Sequence, residues 1–279
     1  MIAHLCLLCY NIVKIILGCL MLSKNELLLQ LNKFNSSGKT VIVHTSLRAI
    51  GEIEGGADTL IDALKEQFTK NGGILCIPTH TWRTCVLDLN KTESCLGALP
   101  TVAAGRKDGV RSLHPTHSVM VFGDRQKCDE FVRNEKNVDS PTNPDGCYGN
   151  IFKENGYVLL IGVGQEKNTC IHCVDEMLDI PNRLTKEGIN AKIIYKDGTE
   201  ESRHLRWFDP IIPDVSVNFG KLEPAFRYFG AIEDGVLGNA KVQFCRTDKI
   251  KEAMELIYRN ADGKEILADN LPLDEKLYK

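Results

Sequence analysis

Short, almost uninterrupted apolar runs recur along this chain, and a stretch with helical periodicity follows most of them. Three of the runs are TVIVHTSL at 40–47, GGILCIP at 72–78 and GYVLLIGVG at 156–164, all flanked by turn residues. Strands that are apolar on both faces need cover on both sides, which is the usual environment of parallel strands beneath helices. The sequence therefore predicts an α/β fold with a covered, largely parallel sheet.

Four segments have the periodicity or the capping residues of amphipathic helices. The first opens with the capping-box pattern SKNE, and the last, TDKIKEAMELIYRN, begins with residues suited to a cap. The predicted helices span 23–34, 59–68, 124–134 and 247–260, and further strands are predicted at 119–122 and 239–246.

Residues 191–207 have the pattern of a hairpin rather than of a buried strand. An Asp-Gly pair supplies a tight turn between two segments with strand-like patterning. We predict a single domain over 21–265 that contains this hairpin as an insertion at about 190–207 and is followed by a loosely held polar tail at 266–279.

The N-terminal stretch is mostly apolar but does not have the pattern of a secretory signal or of a membrane-spanning helix. It lacks a basic leading segment and carries His4, Asn11 and Lys14 among its apolar residues. Because a helix-capping box follows directly after Met21, we interpret residues 1–20 as an extension upstream of the natural start and predict no membrane association.

Charge and cysteine usage narrow the class of protein. The formal net charge of -3 leaves no broad basic surface of the kind that neutralises nucleic-acid phosphates, so a nucleic-acid partner is not predicted. The 11 cysteines are odd in number and scattered, and several lie inside apolar runs. This pattern favours buried free thiols in the cytoplasm over a disulfide framework.

The segment NTCIHCVDE at 168–176 concentrates two thiols, an imidazole and two carboxylates. A polar residue at its start can cap a helix, which places His172 in the first turn, beyond the carboxyl end of a strand, where ligand sites of α/β sheets lie. Asp175 and Glu176 follow at helical spacing, so either acid is able to orient the imidazole as a general base. The same spacing also fits solvated first-turn acids beside a partly buried histidine, and both interpretations stay open.

Two further interpretations use the thiols of this segment. A metal site built on Cys170, His172 and Cys173 lacks a second ligand pair at zinc-binding distance, and adjacent residues of a helix diverge in direction. A thioredoxin-like redox pair lacks the flanking residues of that fold. We therefore predict no metal, while a metal-binding or redox protein built around CIHC stays an alternative from a different class.

Several blocks together resemble the aminoglycoside 3-N-acetyltransferases, a family of antibiotic acetyltransferases that use acetyl-CoA. The blocks occur in the order of the family and lie at 41–64, 72–82, 111–123 and 140–184, with a weaker fifth at 235–246. The resemblance implies a three-layer α/β/α sandwich with a largely parallel mixed sheet and a small antiparallel hairpin. It also implies direct acetyl transfer without a metal, in a monomer or homodimer.

The same resemblance implies roles for individual residues. His172 matches the histidine taken as the base, and Asp175 stands where the family commonly has Glu, so that either Asp175 or Glu176 is the expected catalytic acid. The loop after the first strand, the end of the second strand and the third block are expected to bind acetyl-CoA, while Trp82 forms either a wall of the crevice or part of the core. The residues implied in cosubstrate binding are Ser46, Leu47, Arg48, Thr79, Arg111, His114 and Ser118.

The acceptor implied by the resemblance is the 3-amino group of the 2-deoxystreptamine ring of an aminoglycoside. Carboxylates that could bind such a polycation are present in several loops, but their distribution does not single out a site. A different amine acceptor, or a CoA-binding relative without transfer activity, stays an alternative.

Overall fold

The computed structural model describes residues 21–91, 93–208 and 214–279, so the interpretation of residues 1–20 lies outside the described part. Two sheets are present, a large one in the order β4-β5-β2-β1-β6-β10-β9 and a small one in the order β3-β7-β8. Their strands are, in chain order, β1 (Thr40–Thr45), β2 (Ile74–Pro78), β3 (Val86–Asp88), β4 (Val110–Arg111), β5 (Val119–Phe122), β6 (Tyr157–Ile161), β7 (Ile189–Ile194), β8 (Glu200–Leu205), β9 (Ile232–Leu237) and β10 (Ala240–Arg246).

The large sheet is mixed, with a parallel centre. Strand β1 pairs in parallel with β2 on one side and with β6 on the other. Antiparallel pairs then join β2 to β5, β5 to β4, β6 to β10 and β10 to β9. Since two antiparallel steps restore the direction, β4 and β9 run the same way as the three central strands. The predicted largely parallel mixed sheet is confirmed, and the carboxyl ends of β1, β2 and β6 meet at one edge.

Helices cover both faces of the large sheet. They are α1 (Lys24–Leu31), α2 (Leu47–Ile50), α3 (Gly56–Phe68), α4 (Ala98–Gly105), α5 (Arg125–Val132), α6 (Cys147–Lys153), α7 (Cys170–Met177), α8 (Glu223–Tyr228) and α9 (Thr247–Ala261), with 3-10 turns at Lys70–Gly72, Glu135–Asn137, Gln165–Lys167, Val215–Leu222 and Glu275–Leu277. None of the helices in the described ranges has both the length and the apolar surface that a membrane span requires.

Alternate residues of β1 show how the core is divided. Val41 and Val43 belong to a core layer under α1, α3 and α4, whereas Ile42 belongs to the layer under α5 to α9. Successive side chains of a strand point to opposite faces of its sheet, so this split identifies the two helical layers. The three-layer α/β/α sandwich is thereby confirmed.

Local signals place most elements within a few residues. The capping box predicted at the start of α1 is present, with Ser23 accepting from the Glu26 backbone and the Glu26 side chain accepting in return, although the helix ends at Leu31 rather than at Phe34. The predicted hairpin is formed by β7 and β8, with Gly198 at a φ of 84° in its turn. Strand β3 adds to this hairpin in parallel, a long-range pairing that the hairpin pattern does not contain.

The polar tail predicted at 266–279 packs against the domain. The side chains of Ile266, Leu267 and Tyr278 are buried, and the first two extend the core under α9. Burial of these three side chains holds the segment in place, although its composition is mostly polar.

Candidate active site

A cavity of about 690 Å³ opens where the central strands of the large sheet end. His44 and Thr45 at the end of β1 and Pro78 at the end of β2 line one side of it. Helix α7 contributes His172 from another side, and further lining residues are Trp207, Phe208, Asp214, Val215, Ser216 and Phe219. The position follows the rule that ligands bind beyond the carboxyl ends of strands in α/β sheets.

Helix α7 places its reactive groups in two different environments. The thiols of Cys170 and Cys173 are fully buried in the core, and burial raises the pKa of both. His172, between them in sequence, lines the cavity. All eight described cysteines are free, and among the described residues no group of three or more His, Cys, Asp or Glu side chains is placed to hold a metal ion.

The His172 imidazole lies between aromatic rings. Its ring centroid is 4.4 Å from that of Phe208, with the two rings nearly stacked, and 4.7 Å from that of Phe219. Burial lowers the pKa of His172 to about 3, and the nearby Arg183 cation acts in the same direction, while Asp214 opposes it. The imidazole is therefore neutral at pH 7 and available to accept a proton.

The two acids that follow His172 bind elsewhere. Asp175 is buried and accepts from Arg183 Nε at 3.0 Å and from the Tyr258 hydroxyl at 2.8 Å. Glu176 accepts from the backbone N–H of Thr142 at 2.9 Å and from the hydroxyls of Thr142 and Ser140. Within the described ranges, no hydrogen bond joins His172 to either acid. The helical spacing predicted a contact between His172 and one of these acids. Both carboxylates are instead bonded to residues of other segments.

Arg183 connects the pocket to the end of the chain. Its guanidinium lines the cavity and also donates to Glu265 at 2.7 Å, beyond α9. The ion pair between Arg183 and Asp175 is almost completely buried, because the two side chains are only 4% and 1% exposed. Helix α7, the pocket rim and the C-terminal segment are thus fixed to one another.

Three of the residues predicted to bind the cosubstrate contact one another. The Thr79 and Ser118 hydroxyls lie 3.0 Å apart, and the Ser118 hydroxyl also bonds to the Thr79 carbonyl. Arg111 donates to the same carbonyl at 2.9 Å and to Ser118 Oγ at 3.3 Å. Thr79 and Ser118 are fully buried, so this cluster joins β2, β4 and β5 rather than presenting its hydroxyls to the cavity.

His114, also predicted to bind the cosubstrate, is fully buried and bonded at both ring nitrogens. Nε2 lies 3.0 Å from the Ser140 carbonyl, and Nδ1 accepts from the backbone N–H groups of Thr116 and His117. These contacts define the tautomer with the proton on Nε2. Burial lowers the pKa of His114 to about 4.

A second group of aromatic side chains forms the floor of the cavity. His80 Nε2 lies 2.7 Å from the Tyr148 hydroxyl, and the ring centroids of His80 and His117 are 4.3 Å apart. Burial lowers the pKa of both histidines and raises that of Tyr148, so His80 and Tyr148 are joined by a hydrogen bond between two neutral groups. Trp82 lines the cavity at 37% exposure, as a wall rather than as part of the core.

Ser46 and the first residues of α2, Leu47 and Arg48, follow β1 at the same edge of the sheet. The Ser46 backbone N–H donates to the Ile161 carbonyl at 2.9 Å and fixes the loop onto β6. Leu47 packs against the core, whereas Arg48 is exposed. Ser46 directly follows Thr45, which lines the cavity.

Sequence reasoning did not single out His44, Phe208, Phe219 or Asp214. His44 lies inside an apolar run, where its polarity is itself a signal, because a buried histidine requires a partner or a ligand. The other three lie outside every motif of the sequence described above, and only folding brings them to His172.

Comparison with known proteins agrees with this fold. The family model for aminoglycoside 3-N-acetyltransferase matches residues 42–258. The SPbeta prophage-derived aminoglycoside N(3')-acetyltransferase-like protein YokD of Bacillus subtilis (strain 168) is 24% identical over 82% of this chain and 89% of that protein. Its crystal structure superposes with a TM-score of 0.73 and 21% identity over 89% of this chain and 97% of that one.

Two further relatives agree with the match. Aminoglycoside N(3)-acetyltransferase VII of Streptomyces paromomycinus is 26% identical over 52% of this chain, which spans 57% of that enzyme. A structure described as AAC-IIIb binary with CoASH has a TM-score of 0.70 and 19% identity over 86% of this chain and 97% of that one. Because the family model covers most of its length, the chain belongs to the aminoglycoside 3-N-acetyltransferase family.

Proposed function

We propose that this protein transfers the acetyl group of acetyl-CoA directly to an amine, with His172 as the general base. The acceptor we propose first is the 3-amino group of the 2-deoxystreptamine ring of an aminoglycoside, which follows from the family and from the names of the relatives. The CoASH in the binary structure of AAC-IIIb supports acetyl-CoA as the donor.

One observation carries the choice of base. His172 lines the cavity, and no hydrogen bond from the described residues occupies either of its ring nitrogens. Burial keeps the ring neutral at pH 7, so a ring nitrogen has a lone pair free to take a proton. His80 lines the same cavity, but its Nε2 is bonded to Tyr148, and His114 is sealed in the protein.

The reaction follows from this arrangement. The amine nitrogen attacks the thioester carbonyl carbon, His172 takes the proton of the amine, and the carbon–sulfur bond then breaks as CoA leaves. A proton on the imidazole is unfavourable beside Arg183 and favourable beside Asp214, so Asp214 is the acid whose charge assists this step. No acyl-enzyme is needed, in keeping with the burial of the Cys173 thiol.

We propose that Asp175 and Glu176 serve catalysis by holding α7 in place. Asp175 fixes the helix to Arg183 and Tyr258, and Glu176 fixes it to the loop at Ser140 and Thr142. Anchors from two directions leave His172 little freedom to move, and accurate placement of a base is worth a large factor in rate.

For the donor, we propose that Ser46 and the first turn of α2, with Leu47 and Arg48, approach the phosphate-bearing part of acetyl-CoA. Arg48 is exposed and cationic at this edge, so its guanidinium is accessible to a phosphate of the donor. Arg111, by contrast, is tied to the Thr79 and Ser118 cluster, and burial lowers the pKa of its guanidinium to about 10.

A second acceptor class is favoured by the charges of the cavity. In the described lining, the acids Glu166 and Asp214 are balanced by the cations Lys167 and Arg183. A polycationic aminoglycoside gains most from a lining with excess negative charge, whereas an amine with one or two positive charges fits a balanced one.

The test is CoA release by purified protein with acetyl-CoA and a panel that contains aminoglycosides and small monoamines. We expect release that depends on the amine and that falls by at least about a hundredfold in His172→Ala, since general base catalysis contributes roughly this factor. His204→Ala, in the exposed hairpin, is the matched control and should keep wild-type turnover. Full turnover in His172→Ala excludes His172 as the base.

A further inference from the structure

Unpaired polar atoms single out the end of β1. In the described residues, three buried side-chain nitrogen or oxygen atoms lack a hydrogen-bond partner, namely His44 Nε2, Thr45 Oγ1 and one Nη of Arg203. The first two belong to consecutive residues, and both line the cavity. An unpaired buried polar atom costs stability, so two such atoms at one ligand cavity indicate that a ligand completes their bonding.

His44 is the stronger of the two signals. Its side chain is 8% exposed, and no hydrogen bond from the described residues reaches it. His114 is equally buried, yet protein groups pair with both of its nitrogens. Protein groups therefore can provide hydrogen bonds to a buried histidine in this fold, and they provide none to the side chain of His44.

The side chain of His44 lies on the face of β1 that carries the chemistry. Ile42, two residues earlier, packs in the core layer of α7, and residues two apart in a strand share a face. His44 therefore points to the same side of the sheet as α7, and both His44 and His172 border the cavity. Burial keeps His44 neutral, with a pKa of about 4, so one of its nitrogens carries a proton to donate.

We propose that His44 is a further catalytic residue whose Nε2–H donates a hydrogen bond to the carbonyl oxygen of the acyl donor. This inference rests on the proposed acetyl transfer. As the amine nitrogen bonds to the carbonyl carbon, the carbonyl electron pair moves onto this oxygen, and His172 receives the amine proton. The pair then returns, the carbon–sulfur bond breaks, and the sulfur leaves with that bonding pair. His44 keeps its proton throughout and stabilises the charged oxygen between the two steps.

The sharpest test measures binding and needs no turnover. One ligand is the ketone isostere of acetyl-CoA, in which a methylene replaces the sulfur, and the other is S-ethyl-CoA, which has no carbonyl. We expect wild-type protein to bind the ketone about five to ten times more tightly than S-ethyl-CoA because of one hydrogen bond. His44→Phe should lose this preference and bind S-ethyl-CoA as before, and His44→Gln, which keeps a donor, should recover part of it.

Stability separates this role from a structural one. His44→Phe should keep or raise the midpoint of thermal unfolding, because it removes an unpaired buried group, while His114→Phe should lower it by leaving three backbone groups unpaired. With an active acceptor, kcat of His44→Phe should fall about a hundredfold.

The outcomes separate the two proposals. If both analogues bind and the preference is the same in wild type and His44→Phe, the role of His44 is wrong and the proposed acetyl transfer is untouched. If neither analogue binds the wild-type protein, the acyl-CoA donor is wrong, and the role of His44 is wrong with it.

Discussion

Asp175 lies 3.0 Å from Arg183 Nε, in an ion pair that is almost completely withdrawn from solvent. This contact explains why the acid does not serve the imidazole three residues before it. The carboxylate is committed to a cation from the next segment, and the Tyr258 hydroxyl occupies its other oxygen.

Asp175→Asn should lower the free energy of unfolding by about 2 kcal/mol, because the buried Arg183 guanidinium loses one of its two carboxylate partners and keeps only Glu265. Urea denaturation measures the change. The control is Glu200→Gln, which breaks the exposed Lys192–Glu200 pair and should cost less than about 1 kcal/mol. Equal losses in the two variants would contradict the buried pair.

The pH dependence of turnover tests His172. Burial lowers its pKa to about 3, so it stays neutral as the pH falls from 8 to 5.5. We expect log(kcat/KM) for the amine to fall with a slope of one below the pKa of that amine, since only the acceptor gains a proton. A second break near the unperturbed histidine value, roughly pH 6.5, would show that His172 titrates normally. An amine with a different pKa should move only the first break.

Buried histidines should make the fold sensitive to acid. Burial lowers the pKa of His44, His80, His114, His117 and His172. Below pH ~6.5 these histidines are protonated in the unfolded chain but stay neutral in the folded protein, so stability is lost as the pH falls towards about 4. Each histidine contributes up to about 1.4 kcal/mol per pH unit.

The measurement is the free energy of unfolding in urea at pH 7, 6 and 5.5. His44→Phe should flatten the pH slope by about one proton, and His204→Gln, in the exposed hairpin, should leave it unchanged. A wild-type stability that is flat across this range would contradict the burial of the histidines as neutral groups.

The cluster of Thr79, Ser118 and Arg111 can be tested as a structural unit. Thr79→Val removes a hydroxyl that is bonded to Ser118, so we expect a loss of about 1 to 2 kcal/mol in unfolding free energy. The KM for acetyl-CoA should change by less than about twofold, because the hydroxyl does not reach the cavity. A large rise in the KM for acetyl-CoA without loss of stability would show that Thr79 binds the cosubstrate.

The sequence predicts the secondary-structure elements better than it predicts the contacts between side chains of distant residues. The strands and helices follow from periodicity and caps, which are local, and His172 is found because its segment directly follows a strand of the sheet. The contacts of Asp175 depend on Arg183 and Tyr258, which no local pattern connects to it. For the same reason spacing could not show that Thr79 and Ser118 bind each other, or that Asp214 lies near His172.

The small sheet β3-β7-β8 stands apart from the large one, yet Trp207 and Phe208, which directly follow β8, border the cavity. The side chains that follow β8 can therefore change while the central strands of the large sheet keep their packing. Under the proposed acetyl transfer, the range of amines that is accepted can diversify through residues next to the accessory hairpin, while the central strands of the large sheet stay unchanged.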